Sequence, residues 1–259
     1  MYTTNLPRVI NAHTVLAAVI KVYESLRLQL KQREYKNDNS KEYLSYMLKA
    51  VDKGHTVLDI GRHKKDYFFV MLRIVKHNGR LIAFENNEKI SSYLLKMKQL
   101  LQLNNITIED ESIAGTEGEL LTSDSSTRRK KPAGALVIDF EVRTDTDRNK
   151  PITKNTIDNY CTTNCIKPGL IKFKLQGNEV EILKGATETI QRYKPTILFE
   201  CGERNVSRET LLKTFGVLYS LKYSGYFILD TMKIPLTSFD FNLYQNEILG
   251  YYCNNFIFE

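Results

Sequence analysis

From about residue 40 onward, short apolar runs alternate with longer segments of helical periodicity. Residues 57–60, 81–84, 106–108, 169–175, 196–199, 226–229 and 255–258 are apolar runs of strand length, bounded by turn residues such as Asn78-Gly79 and Gln176-Gly177. Residues 112–114 read as a further short edge, and 135–142 (ALVIDFEV) as a strand within an insertion. Between them lie segments of helical spacing. Residues 67–75 are apolar enough for a buried helix, and 91–103 place Leu94, Met97 and Leu101 on one face. A short helix begins at 156–160, a long one covers 179–192, and 209–224 is mostly helical. Strands and helices joined by short connections predict a mostly parallel sheet with helices on both faces.

The first 39 residues stand apart as an N-terminal helical extension, with 40–259 as the main domain. Leu16, Val19, Tyr23, Leu26 and Leu30 recur at helical spacing, so this segment is an amphipathic helix expected to pack on the domain or on a second subunit. Packing on a second subunit would make a homodimer through this helix. A polar break at 36–40 follows, then a helix over 41–51 with Ser40 as N-cap and Gly54 as terminator.

Composition narrows the class. The chain has 259 residues, 42% of them hydrophobic, enough for one large α/β domain. The net charge of +7 favours acidic partners. The densest basic run, 128–131, lies in a polar segment (115–131) without interleaved aromatic residues, and the chain lacks a base-holding signature, so no nucleic-acid partner is expected. The longest apolar segment, 15–20, is too short to span a bilayer, and no secretory signal is visible. A cytoplasmic setting with reduced cysteines is the expectation. Cys161 and Cys165 lack the His/Cys partners of a zinc site, so no metal is expected.

The candidate chemistry gathers at 56–85. Asp59 and Gly61 end one strand and Glu85 follows the next, the arrangement by which an open α/β sheet holds an adenosine-bearing ligand. A glycine lets the backbone approach the ligand, and the second acid suits ribose hydroxyls. Arg62, His63, Lys64 and Lys65 stand where more glycine would be expected.

The blocks VLDIG (57–61), LIAFENN (81–87), TIDNYC (156–161), LIKFKLQGNEVEILKGA (170–186), KPTILFE (194–200) and NNFIF (254–258), in that order, resemble the FkbM family of S-adenosylmethionine-dependent methyltransferases. The resemblance covers residues 40–259. It implies a Rossmann-like, seven-stranded class I methyltransferase fold with a reversed last strand. It further implies S-adenosyl-L-methionine as cofactor and a hydroxyl on a glycan or small natural product as methyl acceptor. Asp59 and Gly61 match the first-strand motif against the methionine part of the cofactor, Glu85 the ribose-binding acid, and Asn86 the residue beside the adenine edge. Gly177 and Glu179 match the glycine and acid after the fourth strand, and Lys172 that strand's lysine. The chain departs from the pattern in three places: Lys65 replaces a loop glycine, Lys174 an aspartate and Gln176 a glutamate. Lys174 and His63 are the candidate catalytic bases, and Lys174 is also suited to a charge pair with Glu200 or Asp59. A methyltransferase-fold protein that has lost catalysis and serves as a binding module is the alternative these departures leave.

Overall fold

A computed structural model of the chain describes residues 55–61, 71–72, 75, 78–85, 87–120, 152–174, 177–202, 206–229, 232–246 and 251–259. Outside these lie the N-terminal helix, the helix over 41–51, the Arg62–Lys65 segment with His63, Asn86, Gln176, the basic run at 128–131 and the strand expected over 135–142.

The frame is a sheet whose strands run β10-β9-β13-β8-β7-β1-β2-β3. They are β1 (Thr56–Gly61), β2 (Arg80–Phe84), β3 (Ile106–Glu109), β7 (Pro168–Lys174), β8 (Thr196–Glu200), β9 (Gly225–Leu229), β10 (Met232–Pro235) and β13 (Asn255–Phe258). From β3 to β8 every pairing is parallel. β13 runs antiparallel to both of its neighbours, β8 and β9. This is the class I methyltransferase topology, reversed strand included. The seven strands read from the sequence are all present, and β10 is added outside β9 as a hairpin.

The central strands are mostly apolar because both faces are covered. Alternate residues serve different cores. Leu58, Ile60, Ile171, Phe173, Ile197 and Phe199 pack on one face. That face meets helices α3 (Glu179–Lys184), α4 (Thr187–Tyr193) and α5 (Arg208–Ser220) through Ile182, Ile190 and Phe215. Val57, Leu81, Leu170, Leu198 and Ile257 serve the other face, with helical Met71, Leu72 and Val75, and Leu94 of α1 (Glu88–Leu100). Asn87 caps α1, its side chain accepting from Lys89 and Ile90 N–H.

Two expectations are corrected. The helix expected over 179–192 is two helices, α3 and α4, broken at Gly185 and Ala186. Leu183, Ala186 and Ile190 still share one core, so the periodicity was real. The break is tertiary. A Cβ on Gly185 would lie 3.0 Å from the Ala114 carbonyl oxygen. The Gly185 carbonyl accepts from Asp158 N–H at 2.9 Å. Asp158, on α2 (Ile157–Thr163), in turn accepts from Glu188 N–H at 3.1 Å and Thr189 N–H at 2.7 Å, capping α4. The TIDNYC and LKGA blocks are thus two halves of one junction.

The second correction concerns 112–114. β4 (Ser112–Ile113) does not extend the main sheet; it pairs with β6 (Ile152–Asn155), which also pairs with β5 (Gly118–Leu120) in a separate three-stranded sheet. Gly115 follows β4 so closely under α3 that a Cβ would lie 2.6 Å from the Glu181 carbonyl oxygen. Near the end of the domain, β11 (Gln245–Asn246) and β12 (Tyr251–Tyr252) form a small antiparallel pair after the one-turn helix α6 (Phe241–Tyr244).

Candidate active site

Chain order reverses direction between β1 and β7: one half of the sheet grows outward through β2 and β3, the other through β7 and β8. At such a switch the flanking connections diverge, and a crevice opens beyond the carboxyl ends of the strands. The sequence-nominated residues gather at this edge.

Register defines the edge. Asp59 lies opposite Lys172, and Gly61 opposite Lys174. Ile60 pairs with Phe84, so Glu85 follows level with Gly61 on the other side. Lys174 is ion-paired to Glu200 at the end of β8, and Glu200 lies opposite Asn255 on β13. A polar row therefore crosses the carboxyl edge: Glu85, Gly61, Lys174, Glu200, Asn255. One step deeper, Asp59 and Lys172 form a fully enclosed pair at 2.7 Å, with side-chain exposures of 1% and 0%. These residues alternate with the first core's side chains, so they share the face of the second core.

Gly61 has φ 94°, where a side chain would be strained, so the strand must end on glycine here. Glu85 is almost fully enclosed, and its Oε1 accepts from Asn87 N–H at 2.8 Å. That contact holds the carboxylate at the start of α1, where the helix dipole favours negative charge. Gly177 has φ 104°, and its N–H donates to both Glu179 carboxylate oxygens, at 3.0 and 2.9 Å. The buried Glu179 carboxylate thus closes its own turn.

Sequence reasoning left several groups without a site role. Lys172 had been matched only as a strand residue; its apolar neighbours Ile171 and Phe173 gave no sign of the acid it meets. Glu200 had been considered only as a partner for Lys174, and that pairing is the one found. Glu109, the last residue of β3, accepts from the Tyr160 hydroxyl at 2.7 Å. Burial first, then the Glu109 carboxylate, push the Tyr160 hydroxyl pKa well up, so it stays a donor. Its ring packs edge-on against Phe84, centroids 4.8 Å apart. Burial raises the Cys201 thiol, and the Glu179 and Glu200 carboxylates raise it further, so this thiol is no nucleophile. No cluster of metal-ligating side chains occurs among the described residues.

A depression of about 390 Å³ lies elsewhere, lined by Cys161, Thr162 and residues 188–189 and 191–193. No residue of the polar row borders it, and Glu188, Gln191 and Arg192 in its wall are exposed helix side chains. The strand ends, with their enclosed charges, are the better-founded site.

Topology and edge together define a class I methyltransferase domain. The sequence profile of the methyltransferase FkbM domain matches residues 59–241, and the chain belongs to that family. No curated protein matches the chain. Among solved structures it is similar to the methyltransferase FkbM of Methylobacillus flagellatus, with 14% identity and TM-score 0.49 over 80% of this chain and 44% of that one. The chain therefore spans less than half of that protein's length. It is also similar to a SAM-dependent O-methyltransferase of Thermotoga maritima, with 10% identity and TM-score 0.45 over 90% and 68% of the two chains. A SAM-dependent methyltransferase of Aquifex aeolicus matches with 15% identity and TM-score 0.42, over 94% and 96%. Family membership rests on the sequence match, not on these likenesses.

Proposed function

We propose that the chain transfers the methyl group of S-adenosyl-L-methionine to a hydroxyl of a glycan or small natural-product acceptor. The observation that carries this reading is the placement of Gly61 and Glu85 side by side at the switch in the sheet. Gly61, with positive φ and no side chain, lets backbone approach the methionine half of the cofactor. Glu85, anchored by Asn87 N–H, would accept from the ribose hydroxyls. Asp59 lies beneath them as a charge paired with Lys172, and Asn86, next in the chain after Glu85, would border the adenine. Gly177 and Glu179, whose N–H-to-carboxylate contact closes the turn after β7, would complete the cofactor-binding edge. The cofactor supplies an electrophilic methyl on a sulfonium; the protein's part is to hold the two reactants in line and keep water out.

A cytoplasmic enzyme, homodimeric through its N-terminal helix, belongs to the same reading. No helix among the described residues is long and apolar enough to cross a membrane. Titration calorimetry of the folded chain with S-adenosylmethionine tests the proposal: saturable binding supports it, and no heat at millimolar ligand rejects it.

One observation favours a second reading, a binding module on a methyltransferase fold. Lys174 stands where the family has an acid and is tied to Glu200. A chain that binds no cofactor, but gains binding in K65G/K174D, would be such a module.

A further inference from the structure

The inference concerns the outer end of the polar row and rests on the cofactor reading above, in which Glu85 holds the ribose. Glu85 Oε1 accepts from Asn87 N–H, and the Glu85 backbone N–H donates to the Glu109 carbonyl at 2.9 Å. The second contact is only as firm as the end of β3. That strand closes the sheet order, beside β2, and the end of an outermost strand frays readily.

Tyr160 of α2 spans the last register pair of these two strands. Phe84 and Glu109 lie opposite each other. The buried Tyr160 ring packs edge-on against Phe84, and its hydroxyl donates to Glu109 Oε1 at 2.7 Å. Two positions beyond Glu109, Glu111 Oε2 accepts from Asn155 Nδ2 at 2.9 Å. The segment that leads from β6 into α2 thus clips the chain leaving β3 at both Glu109 and Glu111. A phenylalanine at 160 would fill the same space against Phe84; only the hydroxyl reaches Glu109. We infer that Tyr160 is a positioning residue for cofactor binding: through Glu109 it pins the end of β3 and so holds Glu85 where its carboxylate meets the ribose. It acts through the Glu109 side chain and the Glu109–Glu85 backbone bond rather than by touching the ligand.

The test is affinity for S-adenosylhomocysteine, the product left after methyl transfer, read by calorimetry on folded wild type and variants. Y160F is expected to weaken binding by about threefold to tenfold, the worth of one net hydrogen bond. E109L removes the acceptor and should lose a similar factor; it reads the same bond from its more exposed end if Y160F folds poorly. E109Q keeps an acceptor for the hydroxyl and should restore affinity to within about twofold of wild type. In an E85Q background the effect of Y160F should shrink to within about twofold, because the charge it positions is gone. Tyr223 supplies the control: its hydroxyl donates to the Pro195 carbonyl at 2.8 Å, just ahead of β8 and so at the opposite edge of the sheet. Y223F should lower the melting temperature and leave affinity unchanged. Wild-type affinity in Y160F and E109L overturns this inference. So does an equal loss from Y160F with and without E85Q, or a like loss in Y223F, and each leaves the cofactor reading standing. Failure of the wild-type chain to bind S-adenosylmethionine or S-adenosylhomocysteine overturns both.

Discussion

The Lys172 ammonium lies 2.7 Å from Asp59 Oδ1, on the neighbouring strand, and neither side chain reaches solvent. Two charges enclosed this deeply are tolerated because each offsets the other's desolvation. The pair stands directly beneath Gly61 and Lys174 and fixes the register of β1 against β7, the strands that flank the crevice.

Removing one partner should therefore cost far more than removing both. Lys172→Met is expected to destabilise the fold by about 3–5 kcal/mol, because it removes the ammonium that offsets an enclosed carboxylate. Adding Asp59→Asn should recover most of that loss. Urea denaturation of the two variants checks the difference; equal stability of single and double variants would contradict it.

Glu85→Gln should separate cofactor binding from folding. The amide keeps an acceptor for Asn87 N–H but loses the charge that strengthens hydrogen bonds to ribose hydroxyls. A loss of about 1.5–3 kcal/mol is expected for S-adenosylhomocysteine, roughly tenfold to over a hundredfold in affinity. The melting temperature without ligand should change little. Titration and thermal denaturation of the same preparation read the two effects.

At Gly61 the two effects should appear together. An alanine there must adopt φ near 94°, and left-handed strain of about 1–2 kcal/mol is expected. Its methyl group would also stand between the strand backbone and the cofactor. Gly61→Ala should lower both stability and cofactor affinity. Unchanged affinity would place the ligand elsewhere.

The thiols provide a check that needs no ligand. Cys165 is exposed, whereas Cys161, Cys201 and Cys253 are buried. Iodoacetamide on the native chain should add one label quickly, at Cys165, read by mass spectrometry. Burial raises the Cys161 thiol from its ordinary 9.0 to about 11. The folded state then keeps a proton that the unfolded state releases. The contribution is complete below pH 9 and is lost as pH rises toward 11. The melting temperature of the wild type should fall more steeply over that window than that of Cys161→Ala.

The strands were legible from sequence because each is an apolar run enclosed on both faces, and the central sheet needs nothing else to declare it. Asp59, Gly61 and Glu85 stood out for a related reason: Asp59 interrupts such a run, Gly61 ends it, and Glu85 follows the next one. What the sequence concealed was pairing between elements distant in the chain. Lys172 and Asp59 stand 113 positions apart, and no local pattern links them. The break at Gly185 was hidden because Leu183, Ala186 and Ile190 keep helical spacing across it; the partners that end α3 and cap α4, Ala114 and Asp158, lie on other elements. The short strands β5, β6, β10, β11 and β12 carry few large apolar residues and exist through their neighbours, so periodicity could not find them.

The reversed strand β13 follows every other strand in the chain, yet it lies between β8 and β9. During synthesis those two strands must wait with open edges, since nothing else in the sheet can join them. Its insertion closes long loops at once, a late and cooperative step. The same insertion brings Asn255 against Glu200 and completes the polar row. A nascent chain can thus shape the β1–β2 half of the crevice early, but it acquires the far wall only as the sheet closes. Assembly of the site and the final act of folding are one event.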